Sequence, residues 1–327
     1  MEFKRLSYKH KNNKFLYYFI NYMRLLIPVT FFQFRLGRKL ALRNSFDNEV
    51  IKQRVNYYNK LENHVDLSSA AKKLSDLKRK HGTKTYFFDL YEYSRFFNQN
   101  LRGLFLFGDI TEVPDEPGLV KSRPIAGNNS NSVVLKWDKV RHFMFVKKDK
   151  KSFLDKKNML VGRAVVSSLQ PHRVRFLEKY FDNPLFNIGM VNKNELNPKW
   201  KVDRMTIDEH LAYKFILCLE GNDVGSNLKW VMSSNSLAVM PKPKFETWFM
   251  EGLLIPDYHY VLINDDYSNL EDRLKYYVNN PDKAINIIKN ANERVAQFKN
   301  KPLEDLISFM VLKKYFEKTN QLPMKIK

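Results

Sequence analysis

A single aspartate has the position for acid–base chemistry. Asp109 follows Gly108, where the apolar run 103–107 (GLFLF) gives way to a loop stiffened by Pro114 and Pro117. α/β proteins place working groups at such strand ends, and one carboxylate within reach of a hydroxyl can act as general base. The plainer reading is an aspartate that forms the turn after a glycine. Fixed cations recur at other presumed element ends: Lys121, Ser122 and Arg123 in KSRP, Arg163 after a strand, and His172-Arg173 at a helix start. A nucleoside diphosphate leaving group needs its developing charge neutralised, and arginine forks and helix N-termini do this well. With 56 Lys and Arg in the chain, any one of them can equally be a solvated surface charge.

A second concentration of polar groups lies in residues 219–252. The loop residues Gly221, Asn222 and Asp223 follow the apolar run 215–219, and Lys229 sits on a short helix behind them. A polar run ending at Ser236, an apolar run 237–240 and a Pro-Lys-Pro come next. This reads as strand, loop, helix, strand, loop, helix, with Glu246 on the last helix, where it could accept from a ribose diol. The loop matches neither GxGxxG nor GxxxxGK[ST], so dinucleotide and P-loop binding are not indicated. No D-x-D, CxxC or HExxH occurs, and no metal is expected.

The elements that must position these groups follow from periodicity. Residues 48–81 read as helical in two pieces, the second at 69–80. Segments 84–90 (KTYFFDL) and 103–107 read as strands around a helix at 91–97, with further strands at 133–137 and 142–146. The lysine-rich stretch 147–157 reads as a linker. Beyond it come a strand at 159–166, a helix at 171–181, a capping box at 206–209 (TIDE) and a strand at 259–263. A second capping box at 268–271 (SNLE) precedes helices at 270–278, 281–298 and 303–317. Alternation over 159–298 argues for a parallel, doubly wound domain.

The totals narrow the class. At 327 residues and 44% apolar composition the chain is folded and long enough for two domains. Its one cysteine, Cys218, excludes internal disulfides and suits a reducing compartment. A net charge of +21 attracts phosphates, whether on nucleotides, nucleic acid or anionic lipid. Residues 1–44 concentrate it: ten Lys and Arg, including Lys4 and Arg5, stand against Glu2 alone, interleaved with Phe and Tyr. No apolar run there is long enough for a membrane span or a signal sequence. Such a segment suits an anionic membrane surface; the alternative is packing on the protein body.

Six ordered segments carry a resemblance to a known family. FGDITEVP (107–114), KSRPI (121–125), VRHF (140–143), EGNDVGSNLKWVMSSNS (220–236), KFETWFMEG (244–252) and IPDYHY (255–260) closely resemble family 90 glycosyltransferases. The nearest branch is the bacterial lipopolysaccharide-core type. The resemblance implies a GT-B architecture, two Rossmann-like domains facing across a cleft. Its segments would be a basic N-terminal piece at 1–45, an acceptor-side domain at 46–150 and a UDP-sugar-binding domain at 151–300. A helix at 301–327 would return to the N-terminal domain. It also implies an inverting, metal-independent transfer. The family's catalytic base, in a motif R-D-x-x-x-V-P, carries over to Asp109. Its diphosphate arginine carries over to Arg173, with Arg163 the arginine of an R-G motif whose glycine is Ala164 here. A second phosphate-binding arginine of the animal members aligns with Asn227, leaving Lys229 as the substitute. Gly221, Asn222, Asp223, Ser236 and Glu246 complete the expected UDP-sugar site, with Lys121, Ser122 and Arg123 toward the acceptor.

These readings predict a glycosyltransferase that moves a sugar from a UDP-sugar to a hydroxyl of a lipopolysaccharide-core or other cell-envelope glycan. It would need no cofactor beyond the donor and would work in the cytoplasm at the inner face of the membrane. The contrasting reading is a non-catalytic basic protein that binds nucleic acid or anionic membrane, but no nucleic-acid module is recognisable, and no specific nucleic-acid partner is expected.

Overall fold

The computed structural model describes residues 9–80, 82–192 and 196–323, so Glu2, Lys4 and Arg5 of the basic segment lie outside the described residues. The protein is α/β and divides into two compact units. One holds Arg141–Pro243 and Leu253–Gln297 with residues 9–12; the other holds Asn13–Val140, Lys244–Gly252 and residues 298–323. The described strands in chain order are β1 (Lys72–Lys73), β2 (Arg102–Leu106), β3 (Gly118–Val120), β4 (Ser122–Pro124), β5 (Ser132–Val134) and β6 (Lys157–Ala164). After these come β7 (Phe186–Met190), β8 (Tyr213–Leu217), β9 (Leu237–Met240), β10 (Phe245–Thr247) and β11 (Val261–Leu262).

The first unit is built on an all-parallel sheet of order β11-β9-β8-β6-β7. Successive residues of a strand face opposite sides, and Phe215, Ile216, Ala238 and Val239 are all buried, so the central strands are covered on both faces. Helices Pro171–Tyr180, Leu270–Asn279 and Pro281–Ala296 cover one of these faces, where Phe176, Tyr180, Leu274 and Ile287 join Leu160, Phe215 and Val239 in one core. After β6 the chain turns outward to β7; after β8 it turns the other way to β9. The carboxyl ends of β6 and β8 therefore flank a topological switch point, the place where open α/β sheets bind ligands.

The second unit holds a mixed sheet of order β1-β2-β3-β5, with β1 antiparallel and the other pairs parallel. A loop, rather than a helix, joins β2 to β3. A separate antiparallel pair joins β4 to β10. Glu304 of helix Lys301–Lys318 gathers this unit. Its carboxylate lies 2.5 Å from Arg54, 2.7 Å from Lys136 and 2.7 Å from the Trp248 indole nitrogen.

Several local expectations are corrected here. Residues 84–90 lie in helix Lys84–Ser94; Tyr86, Phe87, Phe88, Leu90 and Tyr93 are all buried, so no polar face reveals the helical period. The helix expected at 69–80 is absent. Its backbone is taken by β1 and by bonds from Leu74 and Ser75 to the carbonyls of Leu101 and Gln99. Residues 142–146 form no strand, and the Val146 amide donates instead to the Ser233 hydroxyl at 2.8 Å. Glu246 lies on strand β10, not on a helix. The capping box at 206–209 is present, but at 268–271 the cap residue is Asn269 and the Ser268 hydroxyl turns to Asp266.

Candidate active site

Two stations emerge, one on each unit. On the mixed-sheet unit, β2 ends at Leu106 and Gly108 adopts φ +122°, a conformation that residues with a side chain rarely take. The chain bends there and sets Asp109 at the head of the loop, its side chain about one-third exposed. The ammonium of the buried Lys121 pairs with this carboxylate, and the next residue, Ser122, donates to the Ile110 carbonyl at 3.2 Å. Two neighbouring side chains thus anchor two neighbouring loop residues. The arrangement orients one carboxylate, and such a group can accept a proton from a hydroxyl brought against it.

Arg123 and Glu246 have a different setting. Arg123 is fully enclosed; it donates to Glu246 at 2.8 Å and to the carbonyls of Tyr57, Ser132 and Tyr58 at 2.6, 3.1 and 3.4 Å. The Tyr57 hydroxyl donates to the other oxygen of Glu246. Burial and the adjacent Glu246 charge push that phenol well above its ordinary value, so it stays a donor. This cluster clamps β4 to β10. A Cβ on Gly252 would fall 2.6 Å from the Glu246 carboxylate and 3.0 Å from the Tyr57 hydroxyl. Gly252→Ala should therefore lower unfolding stability by about 1–3 kcal/mol, measured by urea melts; a loss under a few tenths would mean the cluster yields freely.

The second station is the switch point. Helix Pro171–Tyr180 begins there, with Pro171 in its first turn and no acidic residue beside it. Arg173 donates to the carbonyls of Val165 at 2.6 Å, Glu220 at 2.7 Å and Leu219 at 3.1 Å, tying the loop after β6 to the loop after β8. A guanidinium has five N–H groups, so one remains on each terminal nitrogen. Among the described residues no carboxylate pairs with Arg173, and although burial pushes it down to about 10 it stays cationic at neutral pH. A fully charged, partly immobilised guanidinium at a helix N-terminus has the chemistry to hold an anion.

The other expected residues distribute unevenly. Gly221 packs on Arg173, with an added Cβ only 3.4 Å from its guanidinium. Asn222 accepts from the Gln170 side chain at 3.0 Å, and Asp223 is buried beside it in sequence. Arg163 turns to β7 and donates to the Asn187 backbone and side chain at 2.7 Å and to the Asp203 carbonyl at 2.9 Å. Lys229 is enclosed on helix Leu228–Val231, its ammonium 5.4 Å from the centre of the Phe143 ring. Asn227 bonds the Leu217 carbonyl at 2.8 Å. Ser236 precedes β9 and donates to Tyr213, the first residue of β8, which puts it at the amino end of the sheet, opposite the switch point. Sequence reading missed Gln170 and Tyr57. The Gln170 side-chain oxygen is buried with no partner among the described residues; its place just before Pro171 was the available signal.

The two units thus carry an oriented carboxylate at a strand end and, among the described residues, an unpaired cation at a switch point. The sequence pattern of Glycosyl transferase family 90 matches residues 131–323. The O-glucosyltransferase LpsA of Dichelobacter nodosus is 41% identical over 266 residues, 81% of this chain and 82% of that protein. The chain belongs to glycosyl transferase family 90. It is a glycosyltransferase, and the family match covers the whole switch-point station, from Arg163 to Lys229. Asp109 and Lys121 precede the matched segment.

Proposed function

We propose that this enzyme transfers glucose from UDP-glucose to a hydroxyl of a lipopolysaccharide-core or related cell-envelope glycan, with inversion and without a metal. The observation that carries the donor half is Arg173, a cation tethered by three carbonyls at the switch point with two N–H groups to spare. Its task is to take the charge that develops on the diphosphate as the bond to sugar C1 breaks. The unpartnered Gln170 oxygen would accept an N–H or O–H of the nucleotide. Asp109, oriented by Lys121, would take the acceptor hydroxyl's proton as that oxygen attacks C1 from the face opposite UDP, which inverts the centre. The absence of D-x-D favours protein cations over a metal for the leaving group. The glucosyl choice follows the name of the Dichelobacter relative.

The test is a screen of nucleotide sugars by thermal stabilisation and by donor consumption in excess chelator. UDP-glucose should stabilise most. Arg173→Ala should weaken its binding by about 1.5–3 kcal/mol, the range for a charge-assisted contact. Equal affinity in that variant, or no response to any UDP-sugar, would overturn the donor assignment.

A further inference from the structure

The described helices near the N-terminus carry their polarity inside out. In Lys14–Leu25, the polar side chains Tyr17, Asn21 and Arg24 face the unit that carries them: Tyr17 donates to Asp89 at 2.8 Å, Arg24 pairs with Glu92 at 2.7 Å, and Asn21 is buried. The apolar side chains point outward. Phe15 is 80% exposed, Leu26 74% and, on the next turn of chain, Phe34 93%. A helix that only covered a core would bury that stripe.

Charge accompanies it. Residues 14–45 hold Lys14, Arg24, Arg35, Arg38, Lys39 and Arg43 and not one carboxylate. Arg24 is taken up by Glu92, while Arg35 and Arg38 are exposed alongside the outward phenylalanines. Arg43 also lines a neighbouring groove of about 230 Å³ with Lys52 and Lys314, where Glu317 is paired with Lys313. Among the described residues no single helix is long and apolar enough to cross a bilayer, and Lys14–Leu25 meets Val29–Ser45 at 101°. A pair so bent suits lying in a plane.

We propose that this face docks on an anionic bilayer surface, its aromatic and aliphatic side chains entering the acyl boundary and its cations meeting headgroup phosphates. Apolar exposure suits insertion, and six cations without a carboxylate over residues 14–45 select a negative surface.

Sedimentation of the full chain with phosphatidylcholine vesicles, with and without phosphatidylglycerol, tests this. Binding is expected only with phosphatidylglycerol and should fall as salt rises. Phe15→Ser with Phe34→Ser should weaken it about tenfold or more, since each exposed ring supplies apolar area. Arg35→Glu with Arg38→Glu should abolish the preference for the anionic lipid. Thermal melts should match the wild type, because all four side chains are exposed. Equal binding to both vesicle types, or unaltered binding by both double variants, would overturn the proposal. So would a wild-type dimer in solution that ignores vesicles and dissociates with Phe34→Ser, which would make a second copy the occupant.

Discussion

Asp109→Asn should leave UDP-glucose binding intact and cut glucosyl transfer by roughly 10²–10⁴-fold, the usual loss when a general base is removed. The substitution keeps the side-chain size and an oxygen for Lys121 to grip, so the loop after Gly108 should hold its course. What it loses is basicity, because an amide cannot take the acceptor's proton. Transfer and binding should therefore separate: calorimetric affinity for the donor stays near wild type while turnover collapses. The Arg173→Ala variant should not separate them: donor affinity and turnover should fall together. Turnover within about threefold of wild type in Asp109→Asn would remove the residue from the mechanism.

The largest stability effect is expected at Glu304. Burial pushes this carboxyl up, but Lys136 and Arg54 more than offset that and hold it below its ordinary value near 4.5. Lys136, its side chain largely buried, is pushed down by burial despite the pair. Glu304→Gln leaves two buried cations without their shared anion and should cost about 3–5 kcal/mol, the range for breaking a buried pair from one side. The sign with pH follows. A depressed carboxylate contributes its full stability above the unfolded-state value and loses it as pH falls through the folded value. The gap between wild type and Glu304→Gln in denaturant melts should be widest at neutral pH and close in acid below about pH 4. A gap under about 1 kcal/mol at neutral pH would show that the cluster is not a keystone.

What could be read from residues alone was governed by how local its cause was. The strands at 159–166 and 215–219 and the helix at Pro171 announce themselves through contiguous apolar runs and a proline, and they appear within a few residues of their expected places. Thr206 and Glu209 form their cap because all the atoms lie within one turn. The same spacing at 268–271 fails because Asp266, two residues upstream, competes for the Ser268 hydroxyl. The first half of helix Lys84–Ser94, residues 84–90, reads as a strand because burial on nearly every side erases its period, while the helical reading from 91 fits. Strand β10 was unreadable for a different reason. Three residues pair with β4, more than a hundred positions away, and nothing in their own pattern announces that.

The site divides along the same line. Asp109 stands out by its glycine and prolines, and Arg173 by its helix start. Strand order was not legible, so nothing in the chain said that residues 165–173 and 219–222 would share one switch point while Ser236 went to the far end of the sheet. Glu246 was legible as a carboxylate in a familiar motif but not as the buried partner of Arg123.

Glu304 also imposes a schedule on the living cell. It lies 168 residues beyond Lys136, so at a synthesis rate of about 5–20 residues per second the cation waits on the order of ten seconds or more for its counter-charge. During that interval Arg54 and Lys136 lack their shared anion, and the mixed-sheet unit lacks the helix that gathers it. The parallel-sheet unit, complete by Gln297, is free to fold first. The half of the enzyme that begins the chain should thus be the last to mature, and slowing translation after residue 300 should lengthen the time in which a protease can cut its nascent N-terminal half.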